Sequence, residues 1–148
     1  MLSVDTNVFV YAVDQSEPEK QAIALEVGRR ARAQGAAIAL QVCGEFYVAS
    51  TRRLKRAPWE AAQAARNLMT AFPTFSASRA HVERALAEAA AGRFSYWDAL
   101  LLSAADAAGC TALFTEDMSD GARFGRVEIV NPFAPDGLSA RAQELLTA

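Results

Sequence analysis

Leu2-Ser3-Val4-Asp5-Thr6-Asn7-Val8-Phe9-Val10-Tyr11-Ala12-Val13 decides the fold. A short apolar run ends at an acid, a polar pair follows and apolar residues resume, which reads as a buried strand, a turn and a short helix. Working outward, Pro18-Glu19-Lys20 opens a second helix with acids early and arginines late, closed by Gln34-Gly35. Ala36 to Leu40 reads as a second buried strand, and Gln41 to Arg53 as a helix with Glu45, Val48, Ala49 and Arg52 on one face. Pro58 starts a further helix to about Ala71. Phe72 to Ser76 is a turn or short strand, and Ser78 caps a helix ending near Gly92. Ser95 to Ala108 is a strongly apolar helix stopped by Gly109. Thr111 to Phe114 and Arg126 to Val130 read as buried strands separated by a polar segment, Thr115 to Gly121, and Ser139 to Leu146 as a last amphipathic helix.

Short apolar strands alternating with longer helices predict a mainly parallel sheet covered on both faces, a three-layer α/β/α sandwich. The length, 148 residues, and the absence of a repeat or a long polar linker predict one domain over residues 1–148. At 52% hydrophobic and 22% charged, the chain can bury a core without staples, which excludes a disordered tail. Its net charge of −2 argues against a general nucleic-acid coat protein. The two cysteines, Cys43 and Cys110, lie far apart, and the one histidine, His81, sits among charged neighbours at a helix start, where a solvated surface residue is expected. A zinc cage is therefore excluded. Met1-Leu2-Ser3-Val4-Asp5 lacks the basic residues and apolar run of a signal peptide, and the apolar stretch from Ala99 to Phe114 is broken by Asp106. A cytoplasmic protein with reduced thiols and no membrane span is expected.

In parallel sheets ligands sit beyond the carboxyl ends of the strands. Asp5 directly follows the first strand and Asp117 follows Thr111 to Phe114, so both carboxylates are expected at one sheet edge. Singly, each could be an ordinary cap or turn acid. Asp98 shares a helical face with Leu101, Leu102 and Ala105, where an unpaired carboxylate must protonate, meet a cation or bind a metal. Ser95 is the better-placed cap, which leaves Asp98 inside the first turn. Glu45 comes soon after the second strand, and a salt bridge to Arg52 or Arg53 is its plain alternative. Four acids converging without a lysine or histidine nearby in sequence repel one another. A divalent cation with hard oxygen ligands, Mg²⁺ or Mn²⁺, resolves that repulsion and reaches for substrate phosphate.

The ordered set Val4-Asp5-Thr6-Asn7, Glu45, Tyr96-Trp97-Asp98-Ala99 and Leu113-Phe114-Thr115-Glu116-Asp117-Met118 resembles the PIN-domain ribonucleases, specifically the toxins of VapBC-type toxin–antitoxin pairs. The resemblance runs along the whole chain. It implies a Mg²⁺- or Mn²⁺-dependent endoribonuclease acting on single-stranded or loop RNA, leaving a 5′-phosphate and a 3′-hydroxyl with no covalent intermediate. It further implies inhibition by a small antitoxin and a homodimer. By the same resemblance Asp5 and Asp98 are principal metal ligands, Glu45 is a ligand directly or through water, and Asp117 is the fourth acid. Asn7 and Thr115 match positions that orient ligands or water, with Glu116 and Asp120 as further candidates. Arg52, Arg53, Lys55 and Arg56 are candidates for contacting the RNA backbone. Two other classes compete. A haloacid-dehalogenase-type phosphatase would need a second Asp where Asn7 stands and a lysine near the late acidic turn, which neither Lys20 nor Lys55 supplies in sequence. A non-catalytic binding module on the same fold would be expected to lose acids that are all present here.

Overall fold

The computed structural model describes residues 1–147. β1 (Leu2–Val4) leads into α1 (Thr6–Ala12) and α2 (Pro18–Ala33); β2 (Ile38–Ala39) leads into α3 (Leu40–Arg52) and α4 (Pro58–Ala71). β3 (Thr74–Phe75), α5 (Arg79–Ala90), α6 (Tyr96–Ala107) and β4 (Ala112–Phe114) follow. The chain ends with β5 (Arg123–Phe124), β6 (Val127–Val130), β7 (Phe133–Ala134), β8 (Gly137–Leu138) and α7 (Ala140–Thr147).

The main sheet has the order β1-β4-β6-β5, parallel except for the β5–β6 hairpin. β2 pairs in parallel with β3 and lies alongside β1, tied by the Ala37 N–H donating to the Leu2 carbonyl at 3.1 Å. The chain therefore moves to one side of β1 to make β2 and β3, then returns to its other side to make β4 and β6. That reversal opens a crevice at the carboxyl ends of β1 and β4. α2 packs on β1 and α7, while α6, paired with α5, packs on β5 and β6, giving the expected α/β/α layering.

The strands are continuous apolar runs because both faces are covered. Val4, Leu113, Phe114, Ile129 and Val130 are fully enclosed, as are Val8, Val27 and Leu102 from the helices. One contiguous apolar cluster joins them. Cys43 and Cys110 are buried free thiols within it.

Three local expectations change. The second strand shrinks from Ala36–Leu40 to Ile38–Ala39, because Leu40 already opens α3 with its side chain exposed. β5, β7 and β8 are additional two-residue strands. His81 is only half-exposed: as the third residue of α5 it accepts the Ser78 N–H on Nδ1 at 2.9 Å, closing the helix start as a Glu or Gln would in a capping box.

Candidate active site

The register Val4↔Phe114 brings the residues that leave β1 and β4, Asp5 and Thr115, side by side. Asp5 is the N-cap of α1: its Oδ1 accepts the Thr6 N–H at 2.7 Å, and its Oδ2 accepts the Thr115 hydroxyl at 2.8 Å. Water scarcely reaches this carboxylate, which is 7% exposed. Burial raises its pKa to about 6; the Thr6 and Thr115 hydrogen bonds oppose that rise, and the charges of Glu45 and Asp117 add to it.

Asn7 ties the two strand ends together. Its amide nitrogen donates to Thr115 Oγ1 and Asp117 Oδ2, each at 3.0 Å, and its oxygen accepts the Glu116 N–H at 3.2 Å. The Asp117 N–H in turn donates to Thr115 Oγ1. A second brace reaches α3, where Glu45 Oε2 accepts the Thr6 hydroxyl and Oε1 accepts the Gln41 amide, both at 2.7 Å. Glu45 is thus held by neutral donors, and among the described residues it makes no ion pair with Arg52 or Arg53. On α6, Ser95 is the N-cap and accepts the Asp98 N–H at 3.2 Å. Asp98 is half-buried, and its pKa is raised mainly by burial, against the Ser95 hydrogen bond and reinforced by Asp117 and Glu45.

All four acids, Asp5, Glu45, Asp98 and Asp117, line one pocket of about 110 Å³, together with Thr6, Asn7, Gln41, Trp97 and Leu101. Among the described residues no cationic side chain lines it. Among the described residues no group of three or more Asp, Glu, His or Cys side chains is disposed to hold one ion by itself. Asp5 lies buried at the base of the pocket, Asp98 is half-buried, and Glu45 and Asp117 are exposed at its rim.

A larger groove of about 990 Å³ adjoins the pocket, sharing Thr6, Asn7, Glu45 and Asp117 with it. Glu45, Val48, Ala49 and Arg52, the face anticipated for α3, form one wall, and Arg53 continues it. Arg53 and Arg56 also line a neighbouring hollow. Lys55 lines neither space and is exposed in a left-handed turn at φ 55°.

Glu116 and Asp120 stand apart from the four. Glu116 is engaged from both sides, by the Tyr11 hydroxyl at 2.7 Å and by Lys20 Nζ at 2.6 Å. The expectation that Lys20 is remote from the late acidic turn is therefore wrong in space: 96 residues of chain separate the pair, and only the tertiary fold joins them. That lysine braces the Thr115–Asp117 turn from outside and lines no part of the acidic pocket. Asp120 Oδ1 accepts the Asn131 N–H at 2.8 Å and closes a loop instead. Sequence reasoning missed Gln41 and the Tyr11–Lys20 brace. The first was readable as an i, i+4 partner of Glu45; the second had no local signal.

A mainly parallel sheet with carboxylates gathered beyond its strand ends, at the point where the winding reverses, places the protein in the α/β class. The chain belongs to the PIN domain family, whose profile matches residues 2–129. No curated protein matches the sequence. Among solved structures it is similar to the Mycobacterium tuberculosis VapC20 toxin, described as cleaving the sarcin–ricin loop, at 18% identity and a TM-score of 0.59, covering 79% of this chain and 90% of that one. It is also similar to a chain of a toxin–antitoxin complex from Klebsiella pneumoniae, at 23% identity and a TM-score of 0.61, covering 90% of this chain and 98% of that one. At these identities the likeness is one of fold. No described helix is long and apolar enough to cross a membrane.

Proposed function

We propose that the protein is a Mg²⁺- or Mn²⁺-dependent endoribonuclease and the toxin of a toxin–antitoxin pair. The observation that carries this reading is a pocket lined by four carboxylates, one of them buried, and among the described residues by no cationic side chain, at the switch point of a PIN fold. The donor set fits a hard divalent ion: the four carboxylates are oxygen donors with no lining histidine or cysteine, and Mg²⁺ is held by one or two carboxylates plus water and substrate phosphate, which suits acids that converge loosely. Asp5 and Asp98 are the principal ligands in this reading, Glu45 binds directly or through water, and Asp117 completes the set. When bound, the ion would polarise the phosphodiester and acidify a water.

The chain's own residues do the rest. Thr6, Thr115, Asn7 and Gln41 fix the carboxylates through the hydrogen bonds described above, so that little reorganisation is left for the reaction. Water adds to phosphorus, the bond to the 3′-oxygen breaks, and the water's proton passes by way of a rim carboxylate, so that a 3′-hydroxyl and a 5′-phosphate result. Arg52 and Arg53 in the groove contact backbone phosphates without reading sequence.

The two structural neighbours, one described as a sarcin–ricin-loop-cleaving toxin and one from a toxin–antitoxin complex, support an RNA substrate and a small antitoxin partner. A homodimer acting in the cytoplasm belongs to the same reading. The phosphatase alternative is disfavoured by Asn7, whose amide nitrogen donates to Asp5 and Asp117 where a second carboxylate would be required.

The test is cleavage of a mixed single-stranded RNA pool with Mg²⁺, with Mn²⁺ and with EDTA, beside Asp98→Ala. Cleavage that needs both the metal and Asp98 is expected, with a loss of about a hundred- to a thousandfold in the variant, the range seen when one strong electrostatic group is deleted. Metal-independent cleavage, or a fully active variant, would sink the assignment.

A further inference from the structure

Trp97 lines the acidic pocket beside Asp98 and Leu101, yet 64% of it is exposed. Among the large apolar side chains of the described residues only Trp59, at the start of α4 and outside that pocket, is more exposed. An indole left in water forgoes the largest apolar burial any side chain can make, so its position at the pocket mouth calls for a partner. The ring is already oriented. Tyr96 meets it edge to face, with centroids 5.0 Å apart at 75°, and Tyr96 itself packs on the core.

Charge limits what can rest on that ring. The other lining residues are four carboxylates, three neutral polar side chains and Leu101, and the arginines nearest the acids along the groove, Arg52 and Arg53, do not line this pocket. In the nuclease reading the scissile phosphate goes to the ion that the acids would hold and the flanking phosphates to Arg52 and Arg53, which leaves the indole face to another part of the nucleotide. The part of a nucleotide that suits the position is its uncharged, flat base.

We propose that Trp97 is a stacking platform for an unpaired RNA base next to the scissile phosphate. This rests on the nuclease reading above and adds a positioning residue to it. The phosphates lie along the groove toward Arg52 and Arg53 while one base turns onto the indole. A base inside a duplex has both faces covered by its neighbours and cannot do so without unstacking, so the platform also selects single strands and loops.

The chain has two tryptophans, so Trp59→Phe leaves Trp97 as the sole indole reporter. With Ca²⁺ in place of Mg²⁺, a single-stranded oligoribonucleotide is expected to quench most of its fluorescence in a saturable way. The same strand made abasic, and a fully paired duplex, are expected to leave the signal nearly unchanged. In Mn²⁺-dependent cleavage, Trp97→Ala is expected to raise KM about tenfold with a smaller effect on kcat, and Trp97→Phe to restore most of the loss, since base–aromatic stacking tolerates any ring. Because the fluorescence arm keeps Trp97 intact, it decides even where Trp97→Ala fails to fold. Equal quenching by the abasic strand, or none by RNA that the wild type cleaves, would overturn the platform and leave the nuclease standing. So would quenching by N-acetyl-arginine amide alone, which would make the pocket mouth a cation seat. A wild type that neither binds nor cleaves RNA removes the nuclease reading and the platform together.

Discussion

Asp5 is a carboxylate with two good hydrogen bonds that still holds its proton to about pH 6, because burial and the charges of Glu45 and Asp117 outweigh those bonds. A rise from its ordinary 3.8 to about 6 corresponds to about 3 kcal/mol. The folded chain binds this proton more tightly than the unfolded chain. The associated stability is therefore complete below about pH 4 and lost as pH climbs through about 6, and at pH 7.5 the cation-free protein carries the whole penalty. Asp5→Asn removes the charge and keeps an oxygen for the Thr6 N–H. In EDTA at pH 7.5 the variant should be more stable than the parent by about 1–3 kcal/mol, and at pH 4 the two urea midpoints should nearly coincide. A parent that is the more stable of the two at pH 7.5 would mean that the Asp5 charge is already compensated within the chain. The stabilised variant should be inactive, as expected when a site is built at the expense of stability.

At the scale of elements, the two-residue turn of the β5–β6 hairpin shows how the far end of α6 is fastened. Asp106, at the last turn of α6, pairs with Arg84 of α5 at 2.8 Å and accepts the Arg126 N–H at 3.1 Å, and these contacts hold its pKa below the usual carboxylate value, the Arg84 contact most of all. Gly125 sits between them at φ 58°, where a Cβ would run into the Asp106 carboxylate. Gly125→Ala should cost about 2–3 kcal/mol, against about 1 kcal/mol for Gly92→Ala, where φ is 75° but a Cβ meets nothing within 4 Å. Urea unfolding of both variants checks this, and equal losses would reduce the effect to backbone strain alone.

The same elements explain what could be read in advance. Strands followed at once by acids were legible because burial on both faces writes an uninterrupted apolar run, and the edge where Asp5 and Asp117 meet follows from parallel pairing. Asp98 was legible because it interrupts an apolar face. Two-residue strands such as β5, β7 and β8 carry no period, so nothing in Arg123-Phe124 or Gly137-Leu138 announces them. Leu40 misled because hydrophobicity alone does not separate the last residue of a strand from the first of a helix. The Lys20–Glu116 pair is a product of tertiary folding, and Asp120 looked like its acidic neighbours until the Asn131 N–H claimed it.

Across the whole molecule, an acidic protein binds a polyanion only if its positive charge is left free where it is needed. Arg29 and Arg30 pair with Glu26, Arg93 with Glu88, Arg123 and Arg141 with Glu128, and Lys20 with Glu116. Among the described residues Arg52, Arg53, Lys55 and Arg56 make no ion pair, and the first two open onto the groove that runs into the acidic pocket. The net charge of −2 is thus a sum over a surface on which, among the described residues, eight of the fifteen lysines and arginines are paired; Arg32, Arg66 and Arg79 are also unpaired but line neither the groove nor the acidic pocket, which leaves Arg52 to Arg56 as the unpaired run beside the site. Each phosphate contact to a single strand should add about 0.7 to the slope of log K against log salt. RNA binding measured between about 50 and 300 mM KCl should therefore lose about 0.7 of slope in Arg52→Gln, and about 1.4 in the variant that also carries Arg53→Gln. Arg30→Gln, whose guanidinium is already held by Glu26 on α2, should leave the slope as it was. A double variant with the parental slope would move the backbone contacts away from this groove, and with them the path by which a strand reaches the acids.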